Sequence, residues 1–326
     1  MNDFDPVDLY ALADQSTPWS LHVAVTLGVA ERLEAGPMDV GELAAAVGAD
    51  AGALGRVPRQ LAGHGVFVEE GEGRFALNQA ARGLLDPGMR IFLDLNGIGG
   101  RFARAWSGLA DAVRTGRAGY PFVFGVSFWD DLAAHPELSE SFDAAMAVGH
   151  PTPDPEVLPA SDWDGVRTVV DVGGGTGAQL AQVLRAHPSL RGILVDLPGT
   201  VARSAEVFAA AGVSARATVV GQSFFDPLPA GADLYLVTNV LADWPDADAL
   251  RLLRRCAEAA RPAGRLVVIA GVSPERESPE LMMLVLVGGR SRSLAQFAEL
   301  AGEAGLRVSA TGRQRAGRFL VECRPV

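Results

Sequence analysis

The sequence predicts an α/β protein in two parts: a helical domain with a winged helix over 1–150, and a Rossmann-like, doubly wound sheet with an antiparallel last strand over 151–326. Three observations carry this. After residue 165, short apolar runs alternate with helical patterns. One strand runs into a glycine loop, "VVDVGGGTG", and then a helix. The last two strands are linked by "QRAG", too short for a crossover helix, so the final strand must run antiparallel to its neighbour.

The elements follow in order. "DLYALADQSTPWSLHVAVTLGVAERLE" carries apolar residues at helical spacing with a break at "STP", giving two helices rich in apolar surface of the kind that pairs with a second chain. "VGELAAAVG", "DAGALGRVPRQLAGHG" and "VFVEEGEGRFALN" then read helix, helix, hairpin, the order of a winged helix, with Pro58 expected to kink or shorten the second helix. Its recognition helix offers only Arg56, Arg59 and His64, and the wing "EEGEG" repels phosphate, so the module reads as structural or dimerising rather than DNA-binding.

Residues 90–150 read as helices with aromatic side chains, mostly core, of which Trp106, Phe124 and Trp129 are candidates to line a pocket for a flat ligand. Pro151, Pro153, Pro155 and Pro159 mark the boundary. Strands are then expected at "RTVVDVGG", "GILVDLP", "ATVVGQ", "ADLYLVTNVL", "GRLVVIAG", "LRVSATGR" and "RFLVECR".

Composition narrows the chemistry. Of 326 residues, 48% are hydrophobic, enough for two cores, and the net charge of -11 opposes nucleic acid and anionic membrane as partners. There is no lysine, so all 28 basic residues are arginines, which excludes Schiff-base, pyridoxal-phosphate and P-loop mechanisms that need a primary amine. Cys256 and Cys323 lie in no metal-binding spacing and read as buried thiols; no metal is expected. An acidic N-terminus and the lack of a long apolar run place the protein in the cytoplasm.

Gly173, Gly175 and Gly177 let the backbone turn tightly and approach a ligand, and Asp196 ends the next strand about 20 residues on, where a carboxylate reaches ribose hydroxyls. The pattern favours an adenosine-type cofactor, although Gly173, Gly175 and Ala178 also satisfy the loose dinucleotide fingerprint.

"DVGGGTG", "LVDLP", "GQSFFDPLP", "NVLADWPDADALRLLRRC" and "LVLVGGRSRSLAQFAELAGEAGLR" resemble the S-adenosylmethionine-dependent O-methyltransferases of bacterial secondary metabolism, which include enzymes acting on anthracyclines and naphthoic acids. "TPW", the winged helix and "YPFVFGVSFWDDLAAHPELSESFDAAMA" extend the resemblance over nearly the whole chain. It implies the class I methyltransferase fold, a homodimer, an aromatic or polyketide-like small-molecule substrate, and S-adenosylmethionine or S-adenosylhomocysteine as ligand.

By this resemblance the loop with Asp171, Gly173, Gly175 and Gly177 holds the amino acid part of the cofactor and Asp196, next to Leu197, the ribose. Ser223 and Phe224 border the adenine, with Trp244 beside it and Asn239 at the adjoining strand end. Phe224 and Trp244 also suit plain core packing. Asp243 reads as the N-cap of the following helix, with Asp246 three residues on, and Ser293 with Gln296 as a capping box.

The family usually writes L-H-D-W where this chain has "LADW", so its general-base histidine falls at Ala242. The second family acid falls at Ala270, and a third, usually aspartate, is Glu280. A general base contributes about 10²- to 10⁴-fold, roughly 3 to 5 kcal/mol, whereas positioning supplies about 7 to 11, so methyl transfer survives the loss. The same loss fits a non-methylating reaction on this scaffold (hydroxylation, decarboxylation or cyclisation) or a catalytically silent partner. His150 and Asn96, with Glu280, are the remaining candidates near the reacting centre, and Met146, Met282 and Met283 join the pocket-lining set. His22 reads as packing, and His64, His135 and His187 as solvent-facing helix-end residues.

Overall fold

The computed structural model describes residues 7–149, 153–159, 162–275, 279–315 and 317–326. His150 lies outside them.

The chain forms two compact units, Met1–Arg104 with Glu140–Gly149, and Ala105–Ser139 with His150–Val326. A single division at 150 therefore does not describe the path: the segment 105–139, with Trp106, Phe124 and Trp129, belongs to the second unit. Its short helices resemble those of the first unit in pattern, and only long-range packing separates them.

In the first unit, helices Leu9–Ala13 and Ser16–Thr26 are divided at Asp14–Gln15, just before "STP". Asp14 explains the position: its carboxylate accepts from the Ser16 and Thr17 N–H groups that open the next helix. Strand β1 (Met38–Asp39) leads into helices Val40–Val47, Ala51–Leu54 and Arg56–Gly63, after which β2 (Val68–Glu69) and β3 (Arg74–Ala76) complete a small antiparallel sheet in the order β1-β3-β2. Pro58 does not kink its helix; the break comes earlier, at Gly55, and Pro58 sits in a first turn where no N–H is needed. Arg59 is tied through its Nε–Nη2 edge to the Glu69 carboxylate on the wing, at 2.6 Å for the shortest contact, which removes it from the free surface charge.

The second unit holds a seven-stranded sheet: β4 (Thr168–Val172), β5 (Arg191–Asp196), β6 (Ala217–Gly221), β7 (Leu234–Thr238), β8 (Arg265–Ile269), β11 (Leu306–Arg313) and β12 (Phe319–Pro325), with β9 (Val272–Ser273) and β10 (Arg292–Ser293) paired separately. The order is β11-β12-β8-β7-β4-β5-β6. Strands β4 to β8 pair in parallel, whereas β12 is antiparallel to both β8 and β11, as the short "QRAG" link requires.

The central strands β4, β7 and β8 are covered on both faces and read as nearly unbroken apolar runs, whereas the edge strands β6 and β11 are partly exposed. Val170, Val172, Tyr235 and Val237 pack toward helix Asp246–Ala260 and helix Leu294–Glu303; Val169, Leu234 and Leu236 point the other way, toward helix Ala178–Ala186. Cys256 and Cys323 are both buried and free. The chain leaves β4 toward β5 and β6, then returns to β7 on the other side of β4, so a crevice opens beyond the carboxyl ends of β4 and β7. Among the described residues no helix is long and apolar enough to cross a membrane, and no cluster of side chains suits a metal ion.

Candidate active site

The glycine loop fills the crevice mouth beyond β4. Gly173, Gly175 and Gly177 all have positive φ, 69°, 62° and 87°. A Cβ on Gly173 would lie 2.7 Å from Val240 Cγ2, and one on Gly177 2.6 Å from Phe208 Cζ, so both are needed for close packing. Gly175 differs: nothing lies within 4 Å of the Cβ position, so its outer face is open. Its N–H donates to Asp196 Oδ2 at 2.8 Å, and the Leu197 N–H donates to Oδ1 at 2.7 Å. Each carboxylate oxygen has a second lone pair, so Asp196 is fixed in orientation yet able to accept from ribose hydroxyls.

Asp171 is fully buried at the end of β4, and neither of its oxygens is hydrogen-bonded by regular geometry. Burial first, and then the Asp196 carboxylate, raise its pKa to about 7, against the pull of the Leu180 N–H. An uncompensated acid beside an open glycine face suits a cationic group.

Phe224 bounds the other side of the loop, 3.4 Å from the Gly173 Cβ position. Trp244 meets Phe224 and Phe225 edge-on, at 5.7 and 4.9 Å between ring centroids, and lies nearly parallel to Trp129 at 6.4 Å. Ser223 closes the intervening turn, its hydroxyl accepting from the Phe225 N–H. Asn239, just past β7, is held at φ 57° with its Oδ1 accepting from Arg318 at 2.6 Å. Beside it the Thr238 hydroxyl is buried with no hydrogen-bond partner.

Ala242 and Asp243 lie on a 3-10 turn, Leu241–Asp243, reached directly from β7. Asp243 does not cap a helix: the N-cap of Asp246–Ala260 is Pro245, with no side-chain hydrogen bond. The reason is Pro245 itself, which forces Trp244 into an extended conformation (φ -121°, ψ 138°) and delays the helix until 246. The Asp243 residue keeps some surface, but its carboxyl is deep enough that burial, and then Glu280, raise its pKa to about 8. Glu280 is raised as well, by burial. It is the N-cap of helix Leu281–Val287, which packs against the 241–243 turn.

The turn is secured from beneath by Arg292, 1% exposed, which composition and periodicity did not single out. Its guanidinium donates to Leu241 O at 3.1 Å, Trp244 O at 2.9 Å, Arg290 O at 3.2 Å and Asp246 Oδ1 at 2.9 Å. "RSRS" is thus more than a helix start, although Ser293 and Gln296 do form the expected capping box. No local pattern announces a partner 46 residues away.

Helix Leu281–Val287 also packs against Trp106–Gly108, Leu109–Thr115 and Tyr120–Phe124, which puts Met282 and Met283, both half-buried, on the element that joins the turn to the aromatic segment. Trp106 is 39% exposed, and Phe124 and Trp129 are half-buried. Asn96 and Met146 fall in the first unit, Asn96 exposed on the turn before helix Ile98–Ala105 and Met146 half-buried on helix Pro136–Gly149. His22 packs as expected, Nδ1 against Leu93 O at 2.8 Å. His187 ends its helix but is not solvent-facing: it is tilted over Trp163 at 4.0 Å.

A family model described as an O-methyltransferase domain matches residues 106–307, and one described as an O-methyltransferase dimerisation domain matches residues 12–87. The 2,7-dihydroxy-5-methyl-1-naphthoate 7-O-methyltransferase of Streptomyces carzinostaticus is 42% identical over 310 residues, 93% of either chain. Aclacinomycin 10-hydroxylase RdmB of Streptomyces purpurascens is 40% identical, covering 91% of this chain and 83% of its own. A crystal structure of an O-methyltransferase from neocarzinostatin biosynthesis, in complex with S-adenosylmethionine and 2-hydroxy-5-methyl naphthoic acid, matches with a TM-score of 0.90 at 40% identity, over 99% of this chain and 100% of that one.

Proposed function

The chain belongs to the S-adenosylmethionine-dependent O-methyltransferase family, and from that premise we propose that it transfers the methyl group of S-adenosylmethionine to an oxygen of an aromatic, polyketide-like molecule in natural-product biosynthesis. The observation that carries this is Trp244: one ring packs against Phe224 on the glycine-loop side and against Trp129 on the aromatic side, so the two half-sites share a wall.

When bound, S-adenosylmethionine supplies an electrophilic methyl group. The open face of Gly175 would admit its amino acid part, with Asp171, buried beneath the loop, as a counter-charge for the ammonium, and Asp196, oriented by the Gly175 and Leu197 N–H groups, would accept from the ribose. Phe224, Ser223 and Trp244 bound the adenine, with Asn239 held at the adjoining strand end. Trp106, Phe124, Trp129, Met282 and Met283 offer the flat and adaptable surface an aromatic acceptor needs, and enclosing it excludes water from the reacting atoms. Val7, Leu9, Tyr10 and Leu12 are all more than 60% exposed, which favours a homodimer closed over the N-terminal helices.

The test is incubation of the full chain with S-adenosylmethionine and 2-hydroxy-5-methyl naphthoic acid or related hydroxylated naphthoates, with mass analysis. A gain of one methylene with stoichiometric S-adenosylhomocysteine is expected. A second reading, a non-methylating reaction such as hydroxylation, draws on the alanines at 242 and 270 and on the similarity to a hydroxylase. Its signature is a different mass change without stoichiometric S-adenosylhomocysteine. Sedimentation of the chain at twice its 34.1 kDa mass checks the dimer.

A further inference from the structure

Three of the residues that shape the crevice edge adopt a backbone conformation that side chains disfavour: Asn239 at φ 57°, Ala270 at φ 65° and Glu280 at φ 34°. The 3-10 turn Leu241–Asp243 is packed among them. Gly271 brings its backbone against Ala242, Gly289 lies against the backbone of Ala242 and Asp243, and helix Leu281–Val287 delivers Glu280 toward Asp243. Ala242 offers no proton acceptor, yet the next residue on this turn carries a carboxyl group set deep in protein with part of its surface left open.

We infer that Asp243, backed by Glu280, takes the proton of the acceptor hydroxyl that the family pattern assigns to a histidine at 242; this rests on the methyl-transfer reading above. In the step, the acceptor O–H bond breaks and its proton passes to an Asp243 carboxylate oxygen. The freed oxygen pair forms the O–CH3 bond, and the C–S pair stays on sulfur, which leaves as the neutral thioether of S-adenosylhomocysteine. Charge balances: one cation and one carboxylate become two neutral groups.

The surroundings suit this role. Glu280 is the charged group facing Asp243 from the neighbouring helix. Arg292, on the far side of the turn, directs its guanidinium to Leu241 O, Trp244 O, Arg290 O and Asp246. Arg290 also pairs with Asp246, at 3.6 Å, so both arginines have partners other than the Asp243 carboxylate. Burial and a like charge make Asp243 a far stronger base than an ordinary aspartate, with a pKa of about 8, close to the range in which a proton acceptor works best. A positive charge bound nearby brings its ionisation toward neutral pH.

The test compares 2-naphthol with 1-nitro-2-naphthol, whose hydroxyl ionises far more readily and needs no base. On the full chain with S-adenosylmethionine, Asp243→Asn is expected to lower kcat/KM for 2-naphthol by about 10²- to 10⁴-fold and for the nitro compound by less than about tenfold. Glu280→Gln, by removing the like charge, moves the midpoint of the wild-type pH–rate profile to lower pH. Infrared difference titration of the ligand-free chain provides a readout apart from turnover: a protonated carboxyl band that titrates near pH 8 is lost in Asp243→Asn.

Equal losses on both acceptors, or a band near pH 8 that survives in Asp243→Asn and is distinct from the Asp171 band near pH 7 (identified by its loss in Asp171→Asn), overturn the assignment while leaving methyl transfer intact. Wild-type protein that binds S-adenosylmethionine but forms no S-adenosylhomocysteine with any hydroxylated naphthalene instead defeats the methyl-transfer reading, and the assignment falls with it.

Discussion

Arg292→Met tests whether the 241–246 turn is held by one buried guanidinium. Methionine keeps most of the volume and removes every donor. Leu241 O and Trp244 O each lose a bond of about 3 Å in a buried setting, and an unmade bond of this kind costs about 1–3 kcal/mol. The Asp246 ion pair adds little, because that carboxylate is 53% exposed and water replaces the arginine. Relief of burying the guanidinium, whose pKa burial already lowers, offsets part of the loss. The net expectation is a loss of about 2–4 kcal/mol.

The turn carries Ala242, Asp243 and Trp244, so its release also displaces the proposed reacting groups. A misplacement of about 1 Å costs about 10²-fold in rate. Thermal melting of the full chain, calorimetric titration with S-adenosylmethionine and steady-state rates form the assay. The expected pattern is a lower melting temperature, a fall in kcat of about 10²-fold, and a smaller change in cofactor affinity. Stability within about 0.5 kcal/mol of wild type with unchanged kcat would refute the clamp.

Asp171 should make the ligand-free chain lose stability as pH rises from about 4 to about 7. Its acid form is favoured on folding, so its contribution is complete below the ordinary pKa of 3.8 and is lost as pH rises to about 7, an upper limit of about 4 kcal/mol. Asp171→Asn is therefore expected to flatten the pH dependence of melting over that window while weakening S-adenosylmethionine binding; an unchanged slope sinks the argument. Gly173→Ala places a Cβ 2.7 Å from Val240 at φ 69° and is expected to cost at least about 1–2 kcal/mol and cofactor affinity with it, checked by melting and calorimetry. Ala242→His returns a base to the turn: methylation of 2-naphthol should rise, and rise most in an Asp243→Asn background, whereas no gain with folding and cofactor binding preserved counts against placing Ala242 beside the acceptor.

The sheet was legible because its central strands β4, β7 and β8 are buried on both faces, which writes them as nearly unbroken apolar runs, and because "QRAG" is too short to join two strands in parallel. The glycine loop was legible because positive φ and close approach both select glycine. Asp243 was misread because "DWPDAD" offers two acidic starts for one helix, and the restriction that Pro245 places on Trp244 decides between them. Arg292 and the return of 105–139 to the second unit depend on contacts distant in sequence, which no local periodicity carries.

The alanines at 242 and 270 do not by themselves mark a retired site. A disfavoured backbone conformation persists only where surrounding structure holds it, and Ala270 keeps φ 65° with no side chain to gain from it. The Ala270 N–H is tied to Phe319 O, Gly271 O receives the Arg292 N–H, and Arg292 in turn fixes both ends of the 241–244 turn. A chain of contacts thus carries the geometry of the β8 end to Asp243 without passing through the side chains of 242 or 270. Arg292 is kept by the stability it gives the turn, whereas alanine at φ 65° costs stability that glycine at 270 would recover. The strain at Ala270 is therefore borne by the contacts that fix the 241–244 turn, and with it the position of Asp243.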